Sequence, residues 1–146
     1  SAEYSEISGQ ASEGISLGEI DNEIAEGFGT HGDGRLSDLE SNAYQMALVW
    51  AGMAMVMDDD VITQHERDAL EALVGAEKAS KALTFGEAQG QKAVLDKLRD
   101  AVERVNTSSI ATRRRFEESI KSFSIALDLN IDRTAAGKVM TAFLSL

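Results

Sequence analysis

Residues 32–74 read GDGRLSDLESNAYQMALVWAGMAMVMDDDVITQHERDALEALV, two short acidic turns on either side of one apolar segment. Ser37-Asp-Leu-Glu40 has the form of a capping box, in which hydroxyl and carboxylate each satisfy a backbone N–H at a helix start. From there Leu39, Ala43, Met46, Ala47, Trp50, Ala54 and Met57 recur every three or four residues, as a helix stripe does. Between Ala47 and Met57 the stripe widens until no face carries a polar side chain, so other helices must enclose this half. At about 1.5 Å per residue the run covers roughly 16 Å, well short of the roughly 30 Å of bilayer hydrocarbon. The reading is a buried central helix over about 38–57.

The rest of the chain bounds what that helix can belong to. With 146 residues, one domain can bury a core without staples. There is no cysteine, which excludes disulfides, thiolate metal sites and a thiol nucleophile. There is no proline either, in keeping with long helices broken by Gly and Ser. A net charge of −11 opposes nonspecific binding to nucleic acid or an anionic membrane, and suits a soluble protein or one with a basic partner. No signal peptide or membrane span is visible, and the compartment, cytoplasmic or secreted, stays open.

Taken in order, residues 1–16 are rich in Ser, Gly, Ala and Glu and are expected to be a mobile N-terminal segment, with 17–146 a single helical domain. Leu17, Ile20, Ile24 and Phe28 mark a short amphipathic helix stopped at Gly27-Phe-Gly29. Thr63-Gln-His-Glu66 is a second capping box, opening a helix with Leu70, Leu73 and Val74 inward that is expected to reach about Leu83. Thr84-Phe-Gly-Glu87 reads as a third, starting a helix with Ala88, Leu95, Leu98, Val102 and Val105 inside. Asn106-Thr-Ser-Ser109 is a polar break, after which Ile110, Phe116, Ile120, Phe123 and Leu127 line another helix. Asp128-Leu-Asn-Ile-Asp132 is a turn, with Asp132 as N-cap and Ile131 as staple of a last helix carrying Ala136, Val139, Met140, Phe143 and Leu144. The fold class is all-α: a compact bundle of five or six helices and no strand.

Residues 29–40, GTHGDGRLSDLE, resemble an EF-hand calcium loop, with Asp33-Gly34, Leu36 and Glu40 in register. Residues 55–66, MVMDDDVITQHE, resemble it through Asp59, Ile62 and Glu66. Calcium takes about six to eight oxygens, chiefly from acidic side chains at the first, third, fifth and twelfth places. Gly29 and His31, then Met55 and Met57, fill the first and third places, so each loop keeps two of those four ligands. Helix capping is therefore the expected role of these turns, since carboxylates at helix N-termini are favoured by the dipole. Pairing of the loops through Leu36 and Ile62 would instead gather His31, His65 and Asp58 to Asp60, a donor set suited to zinc, nickel or copper. The candidate divalent-metal ligands are His31, Asp33, Glu40, Asp58, Asp59, Asp60, His65 and Glu66.

The span 49–74, in which AGMAMVMDDDVITQHE (51–66) runs from apolar helix through acidic turn to a Glu-containing helix start, also resembles the bacterial tellurite-resistance TerB-like family. That resemblance implies an all-helical domain of stress or envelope-associated systems, with acidic residues that hold metal. The matching C-terminal turn would be Asp128 to Asp132, which no acidic residue follows to close a site.

Other motifs fail in context. Gly27-Phe-Gly-Thr-His-Gly32 has dinucleotide-fingerprint spacing, but no strand precedes it and Asp33 would face the pyrophosphate. His65-Glu66 lacks a second histidine at Ala69, and no GxSxG turn occurs. Arg113 and Arg114 stand four residues before Glu117 and Glu118 and are expected to pair with them on a solvated face. The methionines, four of five on the central helix, read as core before groove.

The function expected is a noncatalytic interaction or assembly protein, an adaptor or structural subunit needing no cofactor. Its contacts, with a protein partner or its own copies, fall on the terminal segments, with Val139, Met140, Phe143, Leu144 and Leu146 as contact residues. The alternative is a metal-binding or metal-responsive domain of TerB or EF-hand type.

Overall fold

The computed structural model describes residues 38–144. The expected 1–16 segment, the helix around Leu17 to Phe28 and the turn holding His31, Asp33 and Ser37 lie outside the described residues, as does Leu146. Within them are six helices and no strand: α1 (Asp38–Val56), α2 (Gln64–Val74), α3 (Ala76–Gln89), α4 (Gln91–Asn106), α5 (Ile110–Ala126) and α6 (Ala135–Leu144), with a 3-10 turn at Ile131–Arg133.

The apolar helix organises the bundle. Every residue from Met46 to Val56 is buried, and Ala47, Val49, Trp50, Ala51, Met53, Ala54 and Val56 have no exposed surface. α1 touches all five other helices, α4 most extensively. Trp50 meets the Phe85 ring edge-on at 5.2 Å and carries the Lys97 ammonium 5.5 Å above its own ring. One end of the stripe departs from expectation: Leu39 is 82% exposed. It sits in the first turn of α1, before the enclosing helices begin.

The breaks between α2, α3 and α4 also differ from the sequence reading. The helix opened at Thr63 ends at Gly75, well before Leu83, and the next ends at Gly90. Both glycines have φ of +92° with extended ψ, a region essentially closed to residues with a Cβ. The box at Thr84 does not form. Thr84 lies inside α3, where its hydroxyl donates to Ser80 O at 2.9 Å, and Glu87 pairs with Arg67 at 3.2 Å. Ala88 accordingly faces solvent, while Leu98, Val102 and Val105 are buried from α4 as their spacing predicts.

α5 starts where the polar break predicts, with the Ser109 hydroxyl accepting from the Thr112 N–H. Ile110 at its first position is exposed, a second departure. At the far end Asp128 takes the left-handed conformation (φ 54°), and the Leu129 N–H donates back to Ser124 O at 2.9 Å, closing a Schellman-type turn. α6 is capped by Thr134, not Asp132, its hydroxyl accepting from the Gly137 N–H at 2.9 Å. Asp132 lies inside the 3-10 turn, which the Asn130 side chain caps. No helix among the described residues is long and apolar enough to cross a membrane.

Candidate functional site

The second acidic turn leaves α1 at Met57 and enters α2 at Gln64, and its side chains hold helix ends. The Gln91 amide, at the first position of α4, donates to Met57 O at 3.0 Å, satisfying a carbonyl at the α1 C-terminus. Asp58 Oδ1 accepts from the Ala135 N–H at 3.2 Å, setting a carboxylate at the N-terminus of α6, where the helix dipole favours it. Asp59 Oδ1 accepts from the Val61 N–H at 3.2 Å, an Asx turn that folds the loop on itself. The Thr63 hydroxyl accepts from the Glu66 N–H at 3.1 Å while Glu66 Oε1 accepts from the Thr63 N–H at 2.8 Å, so the second capping box is complete. His65 Nε2 donates to Ala126 O at 3.0 Å, covering an otherwise open carbonyl at the end of α5. One loop thus ties the ends of α1 and α5 to the starts of α2, α4 and α6.

This geometry bears on the candidate ligands one by one. Asp58, Asp59, Glu66 and His65 share a turn, but each is turned to a different backbone group. Asp60 is exposed on the same turn. Glu40 belongs to the other end of α1: its Oε2 accepts from the Thr112 hydroxyl at 2.7 Å and from the Ser109 N–H at 3.2 Å. His31 and Asp33 lie outside the described residues. Among the described residues no group of three or more His, Asp or Glu side chains is arranged to hold a metal ion.

Glu40 therefore does for the start of α5 what Asp58 does for the start of α6. Thr112 is fully buried, and its hydroxyl is held by the Glu40 carboxylate and, at 3.0 Å, by the Ser109 hydroxyl. A few residues on, the Tyr44 hydroxyl meets Ser119 Oγ at 2.9 Å and the Arg115 guanidinium lies 5.2 Å above the Tyr44 ring. The expected pairs of Arg113 with Glu117 and Arg114 with Glu118 do not form, whereas Arg67–Glu87 and Arg99–Asp96 do.

Of the C-terminal residues expected to make contacts, Leu146 lies outside the described residues. Val139, Met140 and Leu144 are buried in the chain's own core, and Phe143 is half-buried against it. The large apolar side chains that do face solvent are Leu39 (82%), Ile125 (78%), Val61 (65%) and Ile110 (62%). They fall into two groups. Leu39 and Ile110 flank the Glu40–Ser109 contact, and Val61 and Ile125 flank the His65–Ala126 contact.

Two further features escaped the sequence reading. Lys81 and Lys97 are buried at 4% and 2% exposure, their positions on α3 and α4 giving no sign that these cations turn inward. Between α2 and α3 runs a shallow groove of about 320 Å³, lined by Gln64, Arg67, Glu71, Ser80, Thr84 and Glu87 and crossed by the Arg67–Glu87 bridge. The bridge occupies two of the groove's three charged groups with one another, leaving Glu71 outside it. No family model, curated protein or solved structure matches this chain.

Proposed function

We propose that this protein is a noncatalytic helical interaction or assembly module, and that its contact surface is the end of the bundle carrying Val61 and Ile125. The single observation behind this reading is the exposure of those two side chains, 65% and 78%, beside a junction that capping contacts hold firm. Isolated exposed apolar residues are ordinary, but two at the end of the bundle that the His65–Ala126 contact ties together can serve as the kernel of an apolar patch with a polar rim. Asp59, Asp60, Gln64 and Asp128 supply that rim. A pre-organised surface loses little freedom on binding, which favours it as a contact. The C-terminal residues take part indirectly, by packing α6 against α4 and α1 and so fixing the 3-10 turn that the rim adjoins.

Light scattering across a wide concentration range tests the assembly form of the reading. The wild-type mass is expected to rise above the monomer with concentration, and a Val61→Ser/Ile125→Ser variant to remain monomeric with an unchanged melting midpoint. A wild-type chain that stays monomeric at the highest concentration reached would remove self-assembly as its role.

A further inference from the structure

At the opposite end of α1, roughly 27 Å away for a helix of 19 residues, the surface has another character. Ile110, Arg113 and Arg114 stand at i, i+3 and i+4 on α5 and so share a face, with Leu39 brought beside it through the Glu40 contacts to Ser109 and Thr112. Three successive arginines in the first two turns of a helix oppose its dipole, which favours negative charge there. Among the described residues Arg113 and Arg114 make no ion pair, and Arg113 Nε is buried without a hydrogen-bond partner. This end combines two arginines, beside the single Glu40 carboxylate that caps α5, with exposed apolar side chains in a protein of net charge −11.

The chain enters the described fold at this same place, at Asp38. Ahead of it, residues 17–28 read LGEIDNEIAEGF, with Glu19, Asp21, Glu23 and Glu26 interleaved among Leu17, Ile20, Ile24 and Phe28. Across residues 1–37 the only Lys or Arg is Arg35. We infer that the basic, apolar-edged end formed by Leu39, Ile110, Arg113 and Arg114 is the docking surface for the chain's own acidic segment 17–28. The ten residues from Phe28 to Asp38 can span up to about 35 Å, so the tether permits the contact. A short tether also gives an effective concentration on the order of millimolar, at which a contact too weak to persist between separate molecules is well populated. The proposal stands apart from the assembly surface, since it concerns the other end of α1.

The absence of cysteine makes the test clean: Asn22→Cys creates a single attachment point for a nitroxide on the full-length chain. In the ¹⁵N-labelled protein at low salt, the amides of residues 109–114 are expected to lose most of their intensity while those of α2 keep theirs. Arg113→Gln/Arg114→Glu should restore the intensity, and adding Glu23→Lys to that variant should bring the loss back. Salt at about 1 M, where the Debye length is about 3 Å, should weaken the effect. The melting midpoint of each variant reports whether the bundle is intact, and Glu19→Lys/Glu23→Lys provides a disruption that leaves the bundle untouched. Full intensity at residues 109–114 in the labelled wild-type background, or a loss that ignores both charge reversals, would overturn the proposal. So would a loss that appears only when nitroxide-bearing chains are mixed with ¹⁵N chains, because the occupant would then be a second copy.

Discussion

Gly137→Ala is expected to destabilise the protein by about 3–5 kcal/mol, the upper end of what single substitutions do. Gly137 lies in the first turn of α6 directly under the 3-10 turn, and a Cβ there would run into the carbonyl oxygen of Ile131. That oxygen cannot swing aside, because it accepts from the Thr134 hydroxyl at 2.8 Å and from the Thr134 N–H at 3.0 Å. Relieving the clash means lifting α6 off the turn, which breaks the Thr134 cap on Gly137 and pulls Met140 and Val139 from the core. Gly86→Ala is the informative contrast. A Cβ at Gly86 would also be crowded, by Met53 Cε at 2.6 Å and Met57 Sδ at 2.7 Å. Those are the ends of flexible side chains that can turn away, so the cost there should stay within about 1–3 kcal/mol. Urea denaturation of the two variants side by side checks the ordering; equal losses would show that the α6 contact is softer than its geometry implies.

Trp50→Ala should cost a similar amount, about 3–5 kcal/mol, for a different reason. Trp50 is wholly buried at the centre of α1, with Phe85 against its edge and the Lys97 ammonium over its face. Truncation leaves a cavity that five surrounding helices cannot close together, and it removes the ring that faces a cation at 2% exposure. A desolvated cation–π contact contributes about 2 kcal/mol on its own. Trp50→Phe is predicted to be much milder. It retains an aromatic face under Lys97 and deletes the indole Nε1, a buried donor that has no hydrogen-bond partner. Because Trp50 is the only tryptophan, unfolding has to be followed by far-UV circular dichroism.

The parts of this fold that sequence could reveal are those set by local or periodic rules. The burial of Ala47 to Val56 follows from an apolar run with no polar face, and the Thr63–Glu66 box forms where its residues stand. Thr84–Glu87 shows the limit of the same rule: the residue pattern fits, but a threonine hydroxyl inside a helix is equally satisfied by the carbonyl one turn back. What ends α2 and α3 is a single glycine each, and an isolated glycine in an otherwise helical pattern carries little signal of its own. Periodicity places Leu39 and Ile110 on the inward face, because it gives a face but not where its cover begins.

The candidate site was less legible still. The chemistry of Asp58 and His65 suggests metal ligands, and nothing local shows that they cap α6 and α5, because those partners lie 77 and 61 residues away. The apolar C-terminal helix suggested a contact surface for the same reason. Amphipathicity says that a face must be covered, and only the packing shows that α4 and α1 cover it.

At the centre of the account is the proposal that the turn from Met57 to Glu66 serves as a junction between helices and not as an ion site. Thermal melting in chelator, then in about 1 mM calcium and about 1 mM zinc, tests this directly, because a site with a Kd of about 10 μM would add about 2.7 kcal/mol to the folded state. The account predicts a midpoint that does not move with either metal. A rise that disappears in Asp59→Asn/Asp60→Asn would contradict it.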